Sequence, residues 1–292
     1  MLSPPFQLRR AKLLSRFSPS VDKKVRRWAE RARRARKAQG DFFSGRTIQH
    51  VRELGSGVQG QVSLYLDEKT NEYFAVKHFF EQDFRGASNE IKSIMHLQPY
   101  AHPRICNAIY ARDANDRDPI IVFPYYQNGD LHRYVQQRFP HSAVPLKFMR
   151  HVFVQLIEAL AFIHHGVPLG STEPPTSWIP VIHCDIGARN ILVTDSVSTT
   201  SGYPDIVLGD LGCAHVGASS GFTSFDTDLR GVADIIFRMR AWGRGPLPLL
   251  RPFRSRDERT QERMLNVWLG RASDGSCTAV ELLREIKIVM GE

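Results

Sequence analysis

HCDIGARN, residues 183–190, sets a His, an Asp two residues on and an Asn five residues after that in one short run. It supplies a carboxylate, Asp185, and a carboxamide, Asn190. Not far beyond it VLGDLG, residues 207–212, adds a second carboxylate, Asp210, followed by Gly212. What these oxygens can do depends on what the rest of the chain brings to them.

Working toward the N-terminus, LGSGVQGQV (residues 54–62) contains G-x-G-x-x-G-x-V. In a dinucleotide-binding fold that pattern follows a strand and opens a helix. Here it lies between two strand-like runs, so it reads as a Gly-rich hairpin folded over phosphates. Gly55, Gly57 and Gly60 let backbone N–H groups approach anionic oxygens. Lys77, in FAVKHF, lies in an apolar strand-like run where an unpaired ammonium is costly. It needs a carboxylate and an anionic ligand. Glu90, in SNEIKSIMHL, is the expected carboxylate, carried on the helix that follows; Glu81 sits too near the strand's end. The bland alternative is an edge-strand lysine facing solvent.

The charge is unevenly spread. The chain carries 39 Lys/Arg and 30 Asp/Glu, of which residues 1–45 hold 13 and 3. The arm is therefore +10, and the remaining 247 residues, 26 basic against 27 acidic, are −1. The basicity belongs to an arm and not to the body. Its first part, MLSPPFQLRRAKLLSRF, lacks acids and loosely fits a mitochondrial transit peptide. Its second part, residues 18–40, opens with Ser18 and Pro19 and places Val21, Val25, Trp28, Ala32 and Ala35 on one face of a helix. RARRARK within it reads equally as a nuclear signal, an anion-binding surface or a solvated helix. Cys106, Cys184, Cys213 and Cys277 form no CxxC pair, and no secretory signal precedes them, so a reducing intracellular compartment, cytoplasm or nucleus, is expected. No run of about 18 apolar residues is present to span a membrane.

From Arg46 the texture is strand-like: VRELGSG, QVSLYLD, EYFAVKHF and PIIVFPYY are short β runs, and Asn89 to Gln98 reads as a helix. Beyond Asp130 the chain is mostly helical, most clearly from Leu146 to His165. Segments 166–180 and 195–204 read as long loops. The fold class expected is α+β, a small β-rich lobe followed by a larger helical lobe.

The ordered series of Gly loop, strand Lys, helix Glu, Asp-x4-Asn and Asp-Leu-Gly resembles the eukaryotic protein kinase superfamily over about residues 50 to 290. HPRI (102–105) and DLRGVADIIFRM (228–239) add to the resemblance. It implies a bilobal protein-kinase-like domain over 46–292, with an N-lobe at 46–125 and a C-lobe at 126–292, after a basic arm at 1–45. It implies ATP and Mg²⁺ as cofactors and a protein as substrate. Asp185 takes the acceptor proton, Asn190 and Asp210 hold Mg²⁺, and Lys77, fixed by Glu90, grips the phosphates. The ATP site drawn from it comprises Leu54, Gly55, Ser56, Gly57, Val58, Gln59, Gly60, Val62, Ala75, Lys77, Tyr126, Asp130 and Leu192. Val62, Ala75 and Leu192 sandwich adenine, Phe123 guards the back of the pocket, Pro124 to Tyr126 form the linker, and Asp130 meets the ribose.

The departures are specific. Cys184 replaces an Arg that in many kinases binds an activation-loop phosphate, so activity is expected not to need that phosphate. Gly187 stands where Ser/Thr kinases usually have Lys, and Arg189 can supply that cation, as in tyrosine kinases. Only 15 residues, Cys213 to Thr227, separate Gly212 from Asp228, and no Ala-Pro-Glu occurs. Ser276 falls where the Arg that pairs with that Glu would be; losing both partners strands no charge. Cys184 and Cys213 fall near the active site and read as small apolar fillers sooner than as a redox switch. The expected function is ATP-dependent transfer to protein Ser/Thr hydroxyls. A nucleotide-binding pseudokinase scaffold whose arm reaches an anionic partner, and a small-molecule kinase, share the same residues.

Overall fold

The computed structural model describes residues 42–112, 118–217, 224–242 and 255–291. The transit-peptide and basic-helix readings of the arm lie outside them. The chain divides into two compact units, residues 1–47 and 48–292. In the first, Phe42–Gly45 form a turn, closed where Arg46 N donates to Phe43 O at 3.2 Å, with the Arg46 guanidinium 4.4 Å over the Phe42 ring.

The second unit begins with an antiparallel sheet in the order β1-β2-β3-β5-β4, built from β1 (Ile48–Ser56), β2 (Gly60–Asp67), β3 (Glu72–Phe79), β4 (Tyr110–Arg112) and β5 (Ile120–Pro124). β3 is central and carries a run of buried residues at Phe74, Ala75, Val76 and Lys77. The turn between β1 and β2 is closed by Gly57 N donating to Gly60 O at 2.9 Å. Gly60 also packs too closely for a side chain: a Cβ there would collide with the His78 carbonyl of β3. α1 (Phe84–Leu97) follows β3 and begins five residues before the expected Asn89. Gly86 hides its first turn from a propensity reading, yet the structure uses that glycine, because a Cβ there would lie 2.5 Å from the Asp83 carboxylate.

The helical part comprises α2 (Leu131–Arg138), α3 (Leu146–His165), α4 (Phe225–Met239), α5 (Arg256–Asp274) and α6 (Ala279–Met290). Asp130 caps α2 by accepting from Arg133 N at 2.9 Å. Capping boxes, Ser255 with Glu258 and Thr278 with Glu281, start α5 and α6. α3 is the core: Phe148, Phe153, Leu156, Ile157, Leu160 and Ile163 are wholly buried, and Phe153 stacks on Trp268 of α5 at 6.2 Å and 3°. Two short antiparallel pairs lie among the helices: β6 (Val181–Ile182) with β9 (His215–Val216), and β7 (Ile191–Val197) with β8 (Pro204–Leu208). The expected loop at 195–204 is thus shorter, because β7 runs on to Val197 and β8 starts at Pro204. Among the described residues no helix is long and apolar enough to cross a membrane.

The loop at 166–180 has no regular structure but is firmly docked. Trp178 Nε1 donates to Ile163 O at 3.0 Å, satisfying an orphan carbonyl of the last turn of α3. Its ring lies 5.3 Å from Phe162, 4.9 Å from Tyr100 and 5.5 Å from His96 of α1. His96 Nε2 bonds the Ile179 carbonyl at 2.8 Å. The loop therefore ties α1 to α3. Gly166, at φ +75, ends α3, and a Cβ there would sit 2.6 Å from the Trp178 ring. Gly170, at φ +82, has nothing within 4 Å. Gly170→Ala is expected to cost about 1 kcal/mol, from the left-handed backbone alone. Gly166→Ala adds the displaced indole and should cost at least about 2 kcal/mol more, read by urea denaturation of both variants. Equal losses would show that Trp178 does not hold this corner.

Candidate active site

Asp228, in the first turn of α4, is completely buried and has three hydrogen-bond partners. Its Oδ1 accepts from Cys184 N at 2.8 Å, and its Oδ2 accepts from His183 N at 2.8 Å and bonds His164 Nε2 at 2.8 Å. The two backbone donors are consecutive, so one carboxylate clamps the start of the 183–190 loop. Cys184 is held there at φ +64, a conformation that costs about 1–2 kcal/mol for a residue with a Cβ. His183 extends the clamp: its Nδ1 accepts from Asp185 N at 3.3 Å and its Nε2 donates to Gly209 O at 2.9 Å.

Asn190 Nδ2 donates to both the backbone O and Oδ2 of Asp185, each at 2.9 Å. This fixes the carboxylate and leaves the Asn190 Oδ1 as an acceptor for a ligand. Asn190 O accepts from Gly209 N at 2.8 Å, so the 183–190 loop and the Asp210 turn are sewn together. Asp210 sits at φ +56 as the N-cap of a 3₁₀ turn, Leu211–Cys213.

Lys77 is not on an edge strand. It lies on β3 between Val62 of β2 and Ile121 of β5 and is 8% exposed. Its Nζ donates to Glu90 Oε2 at 2.7 Å and to Asp210 Oδ1 at 3.1 Å. α1, β3 and the Asp210 turn thus meet at one ammonium. Burial pushes Glu90 up to about 7, while Lys77 pulls it down. Burial alone would lower Lys77, but Glu90 and Asp210 outweigh it and hold the ammonium above its ordinary value. The second Glu90 oxygen, Oε1, is buried without a hydrogen bond among the described residues.

These groups border a cleft of about 310 Å³ between the sheet and the helical part. Of the expected residues, Leu54, Gly55, Val62, Ala75, Lys77, Glu90, Phe123, Pro124, Tyr125, Tyr126, Asp130, Arg189, Asn190, Leu192 and Asp210 line it. Asp185 stands beside it, hydrogen-bonded to Asn190. Ser56, Gly57, Val58 and Gly60 of the hairpin do not line it, and Val58 is 93% exposed. Gln59 reaches down so that its Oε1 accepts from Lys77 at 3.4 Å, over Gly212, where a Cβ would displace the Gln59 carboxamide. Arg52, Cys106 and Arg133 line the cleft without having been expected there. Arg133 follows Asp130 by one helical turn, a spacing that could have indicated it. Arg52 reaches the rim by donating to Tyr125 Oη at 3.2 Å. Arg189 is exposed and has no acidic partner among the described residues, so it does not pair with a local carboxylate.

Neither active-site cysteine is a simple buried filler. Cys184 is half-buried and its thiol is pushed up to about 11 by burial, whereas Cys213 is exposed. Among the described residues no group of three or more His, Cys, Asp or Glu could hold a metal ion. The donor set here is two hard oxygens, Asn190 Oδ1 and the Asp210 oxygen that Lys77 leaves free. That fits a Mg²⁺ ion completing its shell with water and phosphate oxygens.

The folded-state value of Glu90 lies above its ordinary one. Its contribution to stability is therefore present below about pH 4.5 and is lost as pH rises through about 7. Carboxyl ¹³C titration should place the Glu90 midpoint near 7, and Lys77→Met, which removes the opposing cation, should move it higher. A midpoint at the ordinary carboxylate value would contradict this.

Comparison with known proteins agrees with this geometry. Residues 48–233 match the protein kinase domain family. The chain is similar to mitogen-activated protein kinase 15 of Xenopus laevis, 31% identical over 151 residues, covering 48% of this chain and 25% of that protein. It is similar to extracellular signal-regulated kinase 2 of Dictyostelium discoideum, 26% identical over 163 residues, 52% of this chain and 43% of that protein. Cyclin-dependent kinase F-3 of Oryza sativa subsp. japonica is 26% identical over 174 residues, 58% of this chain and 34% of that protein. The matched stretches span less than half the length of these relatives. With the family matched across more than half of the chain, and on the segment that builds the cleft, this chain belongs to the protein kinase family.

Proposed function

We propose that the protein transfers the γ-phosphate of ATP to Ser or Thr hydroxyls of a protein substrate, with a catalytic domain at 46–292 whose lobes meet at residues 125–126. The observation that carries this reading is the simultaneous contact of Lys77 with Glu90 and Asp210. Both phosphate-handling carboxylates are already gathered beside the cleft. Phosphoryl transfer asks mainly for positioning and charge neutralisation, and this constellation supplies both.

Val62, Ala75 and Leu192 enclose the adenine, with Phe123 behind it and the backbone of Pro124 to Tyr126 along its edge. Asp130 uses Oδ1 to cap α2 and keeps Oδ2 for the ribose. Lys77 holds the α- and β-phosphates. Gln59 must release Lys77 as phosphate oxygens arrive, and Gly55, Ser56, Gly57, Val58 and Gly60 then close over them. Bound Mg²⁺ supplies charge neutralisation at the phosphate oxygens, with Asn190 and Asp210 as its protein ligands. Asp185, oriented by Asn190, accepts the proton of the acceptor hydroxyl at its free oxygen. Arg189 provides the cation that Gly187 cannot.

The same reading holds that no phosphate on the activation segment is needed. Cys184 offers such a phosphate no cation. Other contacts hold α1: Asn89 Nδ2 donates to Ala214 O at 2.8 Å, and His96 is tied to Ile179. β6 pairs with β9, and Gly217 N donates to Pro180 O at 2.8 Å, fixing the start of the segment. The arm at 1–45 is assigned to an anionic partner, and the protein to the cytoplasm or nucleus.

Purified protein with Mg²⁺, ATP and a generic protein acceptor should turn over, and Asp185→Asn should lose at least about 100-fold of that rate. Phosphate should appear on Ser or Thr of the protein acceptor and not on amino-alcohol or aminoglycoside acceptors. A silent wild-type protein that nucleotide still stabilises against heat would contradict the proposal and leave a binding scaffold.

A further inference from the structure

A second cleft, of about 220 Å³, shares no lining residue with the first. It lies between α3, the turn joining β7 to β8, and the last residue of α6. Lys147, Arg150, Val154 and Glu158 recur every three or four residues along α3 and so share a face. Opposite them stand Ser198, Thr200 and Ser201.

The floor of this cleft is electrostatically closed. Arg104 Nε bonds Glu158 Oε2 at 2.7 Å, and Arg104 Nη1 lies 3.3 Å from Asp205 Oδ1. Gln155 Nε2 donates to that same Asp205 oxygen at 2.5 Å, while its Oε1 accepts from Ile206 N at 2.8 Å. The one acid in the lining, Glu158, is therefore already used. His151 is turned away to donate from Nε2 to Pro204 O at 2.9 Å.

The mouth is different. Lys147 is exposed and Arg150 is half-buried, and neither has a carboxylate partner among the described residues. Both sit in the first two turns of α3, whose N-cap is Pro145 and which has no side-chain cap. The positive end of a helix disfavours cations, so folding alone gives no reason for two of them there. An anion in the cleft would relieve the paired positive charge. The hydroxyls add donors: Ser198 Oγ accepts from Ser201 N at 3.3 Å, and Ser201 Oγ accepts from Tyr203 N at 3.1 Å. With their oxygens engaged as acceptors, their O–H groups remain to donate to a ligand.

We propose that this cleft binds a phosphorylated Ser or Thr side chain of a partner protein, gripped by Arg150 and Lys147 and hydrogen-bonded by the 198–201 turn. A guanidinium beside several hydroxyl donors matches a tetrahedral dianion better than a single carboxylate. Val154 and Met290, apolar and in the same lining, give the flanking peptide a surface to rest on. Two local cations on a body of net charge −1 do not track a nucleic-acid backbone, which needs an extended run of them.

The test is fluorescence anisotropy with the full chain and a short fluorescein-labelled peptide carrying one phosphoserine between leucines. Phosphorylated peptide should bind at least about ten-fold more tightly than its unphosphorylated twin. The double variant Lys147→Ala with Arg150→Ala should lose at least about ten-fold in affinity while keeping its melting temperature. The corresponding double Gln variant, which keeps a polar side chain at each position and removes only the charge and some length, should lose as much. Because the arm is intact in every protein compared, charge attraction to it is the same for each protein, and the loss on removing Lys147 and Arg150 reports on the cleft. Saturating non-hydrolysable ATP analogue should leave binding unchanged. Equal binding of the two peptides, retained binding in both folded variants, or displacement by the nucleotide would overturn the proposal. Displacement by inorganic phosphate at the peptide's own concentration would also overturn it, by showing a site for the free anion.

Discussion

The clamp of Asp228 on His183 and Cys184 is the constraint from which the rest of the site follows. A carboxylate with no exposure to water is tolerable only if its lone pairs are filled, and here two backbone N–H groups and His164 fill them. Those bonds hold Cys184 in a left-handed conformation and so decide where the chain points next. From there each link constrains the following one. His183 reaches Gly209, Asn190 orients Asp185, and Asp210 meets the Lys77 that Glu90 already grips. α4, the 183–190 loop, β3 and α1 are thereby locked into one geometry.

The substitutions that separate this chain from its family's common pattern fall outside that sequence of links. Cys184 contributes its backbone N–H to the clamp, which does not depend on the side chain. Gly187 has open space around the position a Cβ would take. α1 is braced by Trp178, packed among His96, Tyr100 and Phe162, and by an Asn89 bond to Ala214 O. A loop of Pro, Gly and Ser thus does structural work at a point where the activation segment is short.

How much of this could be read beforehand varied with the range of the interactions. β3 runs from Glu72 to Phe79 and α3 from Leu146 to His165, as their patterns of apolar residues indicate. The contact of Lys77 with Glu90 was legible because a buried ammonium demands a carboxylate; its second contact, with Asp210, joins residues 133 positions apart and was not expected. The start of α1 was hidden because Gly86 serves Asp83 and not helix propensity. β6 and β9 have two residues each, too short for any periodicity. Gln59 covering Gly212 and Trp178 bracing α1 depend on residues far apart in sequence, and neither carries a local pattern. Arg52 was missed at the cleft because nothing in β1 alone points there, whereas Arg133 was readable only from its spacing one helical turn after Asp130.

The central claim is that this arrangement works as it stands, held by Asp228 and Trp178 without help from a phosphate. The most direct measurement is the initial rate of γ-phosphoryl transfer by protein treated with phosphatase and verified by mass to carry no phosphate. The account predicts a rate equal to that of the untreated protein from the first turnover. A many-fold loss that recovers as the protein rephosphorylates itself would contradict it.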